Sequence, residues 1–411
     1  MNYRYKYQKY KNKYNSLVRT MQVGAATCNE LPVENIVGSR PIRGGGTGET
    51  IPQTTTYPRW DTNLIPRTGL AQAWNDPSGS FQPVVPSHDD GRGDQIVQKH
   101  LALCEILNFR GANKRKFDLV REIYDNNVVV RMANEAGVHG IDKQITMMKE
   151  MFIMSTDNKV TKHGIQFGSD NWTAVEQIMS GTFDGVAKTP TGKEIQPNYN
   201  HYEIRVCSLI RWENDRIVEE NIFWDNENFV TQLGLDYSSG FVNLKKRGIG
   251  EKIGFVSYGR GDESDPQVRK HLQLFENFSF NGYNQRNWKI AEELYNAKAI
   301  LIFSNGTCIE GANNIIKQMQ TGINDEKVFS IPIHFGSGDW TAASIIMGGT
   351  IPNSNGETWM MEHCVLVKWH NDQIIEAHAF WDNAEANVQG IIMEQQFKST
   401  PRSPDLYCRV R

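Results

Sequence analysis

The chain has 411 residues, 39% hydrophobic and 22% charged, enough for two or three domains that each bury a core. A net charge of −3 and a pI near 6.4 give no overall field that would favour nucleic acid or a membrane surface, and no apolar run approaches the roughly 18 residues of a spanning helix. Cysteines at 28, 104, 207, 308, 364 and 408 make no Cys-x-x-Cys pair and no ligand-like spacing with histidine, so free thiols in a reducing compartment, without disulfides or zinc, are expected.

Residues 1–22, MNYRYKYQKYKNKYNSLVRTMQ, are basic and tyrosine-rich and lack the apolar core of a secretory signal. Residues 24–90 are rich in Gly, Pro, Thr and Ser. GGGTGET there is not a phosphate loop, because no Gly-Lys-Ser/Thr follows. An extended segment, with Trp60 and Trp74 pinned to a domain surface, is one expectation for it; disorder is the other. From Asp94 the pattern changes. Val97, Leu101 and Cys104 form a helical stripe, Phe117, Val120 and Tyr124 a second, and Ile141, Ile145, Met148 and Phe152 a third, with the strand NNVVVRM between the last two. Several strands follow, in GIQFGSDNWTAVEQIMSGTFDG, then HYEIRVCSLIRW, then RWENDRIVEENIFWDNENFVTQLGL over Arg211–Leu235.

After a Gly-rich linker at 238–263 the same order recurs. Asp265-Pro266 is a helix start, an N-cap followed by proline at the first helical position. HFGSGDWTAASIIMGGT repeats QFGSDNWTAVEQIMSGT, and KWHNDQIIEAHAFWDNAEANVQGI from Lys368 repeats the last strand pair. Trp172 and Trp340 are 168 residues apart and Trp224 and Trp381 are 157 apart, so the second copy is shorter by about 11 residues. Such agreement predicts a duplication: an arm at 1–90, domains at 91–237 and 264–396, a linker between them, and a tail at 397–411.

Each copy carries an Asn-Asp hairpin turn and then a strand ending Phe-Trp-Asp-Asn. Alternation puts Glu219, Asn221, Phe223 and Asp225 on one face, and Glu376, His378, Phe380 and Asp382 on the matching face. Two carboxylates and an aromatic ring on one strand face read as the lining of a pocket. Glu376, His378 and Asp382 could act as an acid–base relay; the alternative is a structural corner in which the aspartate caps the next helix. Trp172 and Trp340 read as pocket wall or core, and Asp339 aligns with Asn171. His163, His201, His334 and His363 share no spacing between the copies, so no metal is proposed.

GSDNWTAV with SGTF, the TPTGKEIQP loop and the Ile-Val-Glu-Glu-Asn-Ile-Phe-Trp-Asp-Asn strand closely resemble the SnoaL-like (polyketide cyclase-like) family of the NTF2-like superfamily. The resemblance covers nearly all of 92–237 and, in shorter form, 262–393; the second copy lacks the PTGK loop and replaces Gln-Leu-Gly-Leu with Val-Gln-Gly-Ile. It implies an α+β fold of two cones, three helices wrapped by a curved antiparallel sheet in each, paired through their sheets as an internal pseudo-dimer. It further implies cofactor-free aldol-type cyclase, isomerase or hydrolase chemistry on a small apolar carbonyl compound. The family's acid/base aspartate maps to Asp225 and Asp382, with Glu219, Glu376 and His378 as helpers and Trp172, Trp340, Asn221, Phe223, Phe380 and Asp339 lining the substrate. A non-catalytic module that binds a small hydrophobic molecule or a partner, and a structural protein, are the competing readings. YQKYKNKYNSL resembles the Tyr/Lys opening of many giant DNA virus proteins. A cytoplasmic or virion location, no cofactor, no nucleic acid, no membrane and a capacity to homo-oligomerise complete the expectations.

Overall fold

A computed structural model describes residues 95–132, 137–189, 191–235, 241–242, 246–251, 258–261, 263–321 and 325–391. The tyrosine-rich arm, Trp60 and Trp74 and the C-terminal tail lie outside these residues. The fold is a mixture of α and β. Its first part runs α1 (Gln95–Glu105), α2 (Phe117–Ile123), β1 (Tyr124–Met132), β2 (Val138–His139) and α3 (Ile141–Met154). It continues through β3 (Lys159–Ser169), β4 (Trp172–Thr182), the short pair β5 (Ala187–Lys188) and β6 (Glu194–Ile195), β7 (His201–Glu213), β8 (Arg216–Phe223) and α4 (Asn226–Gln232). The six-stranded sheet has the order β2-β1-β8-β7-β4-β3, with β1 and β8 parallel and the other neighbours antiparallel.

The second part begins with β9 (Gly259–Arg260) and α5 (Pro266–Asn277), then α6 (Trp288–Leu294), β10 (Tyr295–Phe303), β11 (Cys308–Glu310) and α7 (Ala312–Gln320). It ends with β12 (Lys327–Ser337), β13 (Trp340–Thr350), β14 (Thr358–His370), β15 (Gln373–Phe380) and α8 (Asn383–Gln389). Its sheet order is β11-β10-β15-β14-β13-β12-β9, the order of the first sheet with one strand added. That strand corrects the reading of 238–263 as linker alone, because β9 pairs in parallel with β12. Only a residue without a side chain fits where β9 meets Trp172 of β4: a Cβ on Gly259 would fall 2.3 Å from the Trp172 ring. Gly259→Ala is therefore expected to cost about 1–3 kcal/mol by overpacking, measured by urea unfolding.

Local chemistry explains the repeated elements. Asn214 and Asp215 (φ 51° and 57°) and Asn371 and Asp372 (φ 49° and 61°) adopt the left-handed backbone of a tight two-residue hairpin. Asp265 accepts from the Gln267 and Val268 amides, with Pro266 opening the helix. The His100 ring stacks on Trp212 with centroids 4.5 Å apart, and His271 stacks on Trp369 at 4.5 Å. Lys99 reaches Asp215 at 2.7 Å and Lys270 reaches Asp372 at 2.6 Å, so each first helix is tied to its Asn-Asp hairpin.

The helical stripes hide one irregularity. α1 and α5 each continue as a turn of π-helix, Ile106–Ala112 and Phe278–Tyr283. Beyond these turns, Asn113 pairs with both the N–H and the C=O of Val160, and Asn284 does the same with Val328. A side-chain amide thus pairs with the backbone of β3 and of β12 as a neighbouring strand would.

Two apolar cores lie between the helices and the sheets. The first holds Leu103, Ile106, Val120, Val130, Ile210 and Trp212; the second holds Phe275, Leu294, Ile315, Val367 and Trp369. A third cluster joins the sheets themselves, with Phe167, Trp172, Leu209 and Phe223 from one and Phe335, Trp340, Leu366 and Phe380 from the other. Each sheet therefore has a helix-covered face and a seam face.

Candidate functional site

Glu219, Asn221, Phe223 and Asp225 do share a face, as do Glu376, His378, Phe380 and Asp382, but that face is the seam. The reading of these residues as pocket lining is corrected by the packing. Phe223, Phe380, Trp172 and Trp340 pack sheet against sheet, while Glu220 and Ile222 turn to the helices. Alternation along one strand gives two faces without saying which of them the helices cover.

At the foot of the seam the two aspartates cap helices. Asp225 accepts from the Glu227 and Asn228 amides at the start of α4, and also from the Asn383 amide at 3.2 Å and Asn383 Nδ2 at 2.7 Å. Asp382 mirrors it, accepting from the Ala384 amide, the Asn226 amide at 3.1 Å and Asn226 Nδ2 at 2.6 Å. Each Asp-Asn pair thus caps its own helix and clamps the other one. Burial pushes both carboxyls up, Asp225 to about 8 with help from the Asp382 charge, and Asp382 to about 6.

Higher in the seam lie two buried ionic groups. Arg131 on β1 donates through Nη2 to both Glu362 oxygens, at 3.0 and 2.9 Å, and through Nε to Asn221 Oδ1 at 2.6 Å. Ser344 also donates to Glu362, and Asn221 donates to Glu219 at 2.8 Å. In the other group Arg205 binds Glu176 and its Nη2 lies 2.7 Å from His378 Nδ1, while His378 Nε2 lies 2.6 Å from Glu376. Burial would raise Glu176, but Arg205 and His378 outweigh it and hold that carboxyl well below its usual range. Burial disfavours a charged His378 ring, but Glu176 and Glu376 win and raise its pKa. The Cys207 and Cys364 sulfurs, both buried, face one another at 3.7 Å across the seam. Asp339 stands apart, in the β12–β13 turn, its carbonyl accepting from the Trp369 amide at 2.8 Å.

The helix-covered face of the first sheet holds a constellation that strand patterning did not reveal. Tyr124 Oη donates to Glu220 Oε2 at 2.5 Å, and Ser208 donates to Glu220 Oε1 at 2.8 Å. Gln177 reaches Ser208 at 3.5 Å, and Asn108 Nδ2 donates to Gln177 Oε1 at 2.9 Å. The same nitrogen lies 2.9 Å from His163 Nε2, whose Nδ1 is 2.5 Å from Glu105. Gln166 also donates to Glu105, at 2.9 Å. With both Asn108 amide hydrogens given away, His163 accepts at Nε2 and donates at Nδ1, a tautomer set by its neighbours. Burial raises the Glu220 carboxyl against the lowering effect of the Tyr124 and Ser208 hydroxyls, and burial with the Glu220 charge raises Tyr124 well above its usual value.

The second half does not keep this chain of side chains. Matching positions carry Ser279 for Asn108, Ile331 for His163, Ile345 for Gln177, Val365 for Ser208 and Ala377 for Glu220. Tyr295 remains for Tyr124, its hydroxyl raised by burial alone. Glu276 takes its histidine from another position, His334 at 3.2 Å, beside Arg260. The absence of any shared histidine spacing hid His163 for this reason. Among the described residues no three His, Cys, Asp or Glu side chains gather as a metal site. No helix among them is long and apolar enough to cross a membrane. Cys308, expected to be free, is disulfide-bonded, a pairing that sequence spacing does not show.

Among known families, the model of the SnoaL-like polyketide cyclases matches residues 105–233. Solved structures similar to the chain include a SnoaL-like protein of the polyketide cyclase type from Jannaschia sp. CCS1, 16% identical with a TM-score of 0.32, over 35% of this chain and 96% of that one. IdmH from Streptomyces antibioticus, also of the polyketide cyclase type, is 17% identical with a TM-score of 0.29, over 33% and 99%. A protein of ketosteroid isomerase-like fold from Catenulispora acidiphila is 14% identical with a TM-score of 0.26, over 29% and 92%. No curated protein matches the chain.

Proposed function

We propose that the chain is a tandem of two SnoaL-like halves, 91–237 and 264–396, paired through their sheets as an internal pseudo-dimer, and that the first half is a cofactor-free acid–base catalyst of the cyclase or isomerase kind. The substrate class is a small, largely apolar carbonyl compound. The observation that carries this reading is the buried Tyr124–Glu220–Ser208 set, linked through Gln177 and Asn108 to His163–Glu105, on the helix-covered face of the matched domain. Aldol-type closure and isomerisation both need a base for a proton beside a carbonyl and a donor for the enolate oxygen that follows.

Glu220 supplies the base, its carboxyl raised by burial towards working pH. Tyr124 stays protonated and supplies the donor. Once Glu220 has taken the substrate's proton, Tyr124 faces a neutral acid and its O–H can turn to the oxygen where charge develops. His163, held in one tautomer by Glu105 and Asn108, positions the far end of the chain. On this reading Asp225, Asp382, Glu219, Glu376 and His378 hold the seam, and the second half does not carry the chemistry.

The test is deuterium wash-in from D2O at the carbon beside the carbonyl of 2-tetralone, followed by proton NMR with the full chain. Glu220→Gln is expected to slow exchange by about 10²–10⁴-fold, and Tyr124→Phe by less, while His378→Asn leaves it unchanged. Exchange at the buffer rate with the unaltered chain, or an unaffected Glu220→Gln, would sink the reading.

A further inference from the structure

A net charge of −3 averages over charge that is unevenly spread. At one end of the first half, Lys114, Arg115 and Lys116 fill the turn before α2, Lys149 lies on α3, and Lys159 and Lys162 lie on β3; all six are exposed. Contacts place them on one continuous surface. Asn113 pairs with Val160, which sets the turn beside β3. Arg115 donates to the Thr156 carbonyl and its guanidinium sits 4.8 Å from the centre of the Phe152 ring, while Lys149 Nζ lies 5.1 Å over Phe117. The two rings meet edge-on with centroids 6.4 Å apart.

Elsewhere in the first half Lys99, Arg121, Arg131, Arg205 and Arg211 each meet a carboxylate. Among the described residues none of the six does. Asp118, Glu150, Asp157 and Asp184 neighbour the six, but Asp157 and Asp184 are engaged by the amides and hydroxyls of Thr182 and Thr156. The second half lacks this surface. Its matching positions hold Gln285, Asn287, Gln320 and Ser330 for Lys114, Lys116, Lys149 and Lys162. Arg286 remains for Arg115 because the turn itself uses it: both are left-handed, at φ 56° and 54°, and both donate to a carbonyl across a ring face. The lysines have no such shared task, and their mutual repulsion is relieved when a polyanion covers them.

Residues 1–22 narrow the choice of polyanion. They interleave six Lys and Arg with five Tyr, and the first acid is Glu30. Cations among planar rings suit phosphates and unstacked bases together, whereas an acidic peptide or a lipid headgroup would use the charge alone. We propose that this end of the first half docks the phosphate backbone of single-stranded nucleic acid, a ligand on which the tyrosine-rich arm would stack independently. The inference does not use the chemistry proposed for Glu220, and it reverses the expectation drawn from net charge.

Fluorescence anisotropy of a labelled oligothymidylate, titrated with the full chain over a range of salt concentrations, tests it. Lys114→Gln, Lys116→Asn and Lys162→Ser give the first half the residues of the second. Together they should lower the slope of log K against log salt by about 2, at about 0.7 per phosphate contact. Lys327→Gln in the second half should leave the slope unchanged. Tyr5→Ala with Tyr10→Ala should weaken binding at least about fivefold with the slope unchanged, the worth of one stacked base. The triple variant should unfold in urea at the parent's midpoint, since all three positions are exposed. No binding of the strand, a slope unmoved by the triple substitution, or equal displacement by poly-L-glutamate or phosphatidylserine vesicles at matched charge would overturn the proposal.

Discussion

Replacing Arg131 with methionine is expected to cost about 3–5 kcal/mol of stability, the penalty for leaving a buried charge without its partner. Glu362 has no side-chain exposure and takes two hydrogen bonds from Arg131 Nη2, with Ser344 as a further donor. Without the guanidinium it must protonate or draw in water, and Asn221 loses a donor at 2.6 Å. Adding Glu362→Gln to Arg131→Met should recover most of the loss, because a neutral amide tolerates the site. Urea unfolding of the two single variants and the double closes the cycle. A single-variant loss below about 1 kcal/mol would show that solvent already reaches the pair.

The same ion pair bears on which surfaces meet. Arg205 and Glu362 occupy matching positions of β7 and β14 with opposite charge, and Ile302 matches Arg131. On the proposed pairing, two copies of the first half would set Arg205 against Arg131. Two copies of the second would bury Glu362 against Ile302. Each half therefore disfavours its own kind and accepts the other, so specificity here rests on repulsion as well as attraction.

Much of this arrangement was legible in the sequence. The Asn-Asp turns and the Asp-Pro helix start report local backbone chemistry, and the structure places them as read, whereas the Phe-Trp-Asp-Asn stretch leaves its strand at Phe223 and Phe380 and its aspartates cap the next helix. The orientation of β8 was not legible. Glu219 and Glu220 are neighbours, and only the packing of α1 to α3 tells which of them the helices cover. The bulge between Arg211 and Trp212 in the pairing of β7 with β8 shifts the alternation once more, so Ile217 and Glu220 share a side although an odd number of steps separates them. His163 escapes a pattern built on repetition, because the matching position of the second half is Ile331. A better signal lies in the residues that differ together between the halves, Glu220 against Ala377 and Ser208 against Val365, since hydrogen-bonded polar partners change as a group.

The pH dependence of stability should expose the crossed aspartates. A carboxyl raised by folding binds its proton more tightly in the folded chain than in the unfolded one. Between the ordinary aspartate value and the folded values of about 6 and about 8, the folded state therefore holds extra protons and stability falls as pH rises. The slope reaches at most about 1.4 kcal/mol per pH unit for each carboxyl. His378, raised by its carboxylate neighbours, has the same sign above its unfolded value. His271, His334 and His363, all lowered by burial, have the opposite sign and act below the ordinary histidine value. Urea unfolding at pH 5, 6, 7 and 8 should show the chain weakening towards pH 8. Asp225→Asn keeps an oxygen to cap α4 and removes one of the two raised carboxyls together with its charge beside Asp382, so the difference between variant and parent should grow in the variant's favour with pH. A difference that stays flat across the window would mean that Asp225 is ionised throughout, its burial cost already met by the Asn383 and α4 amides.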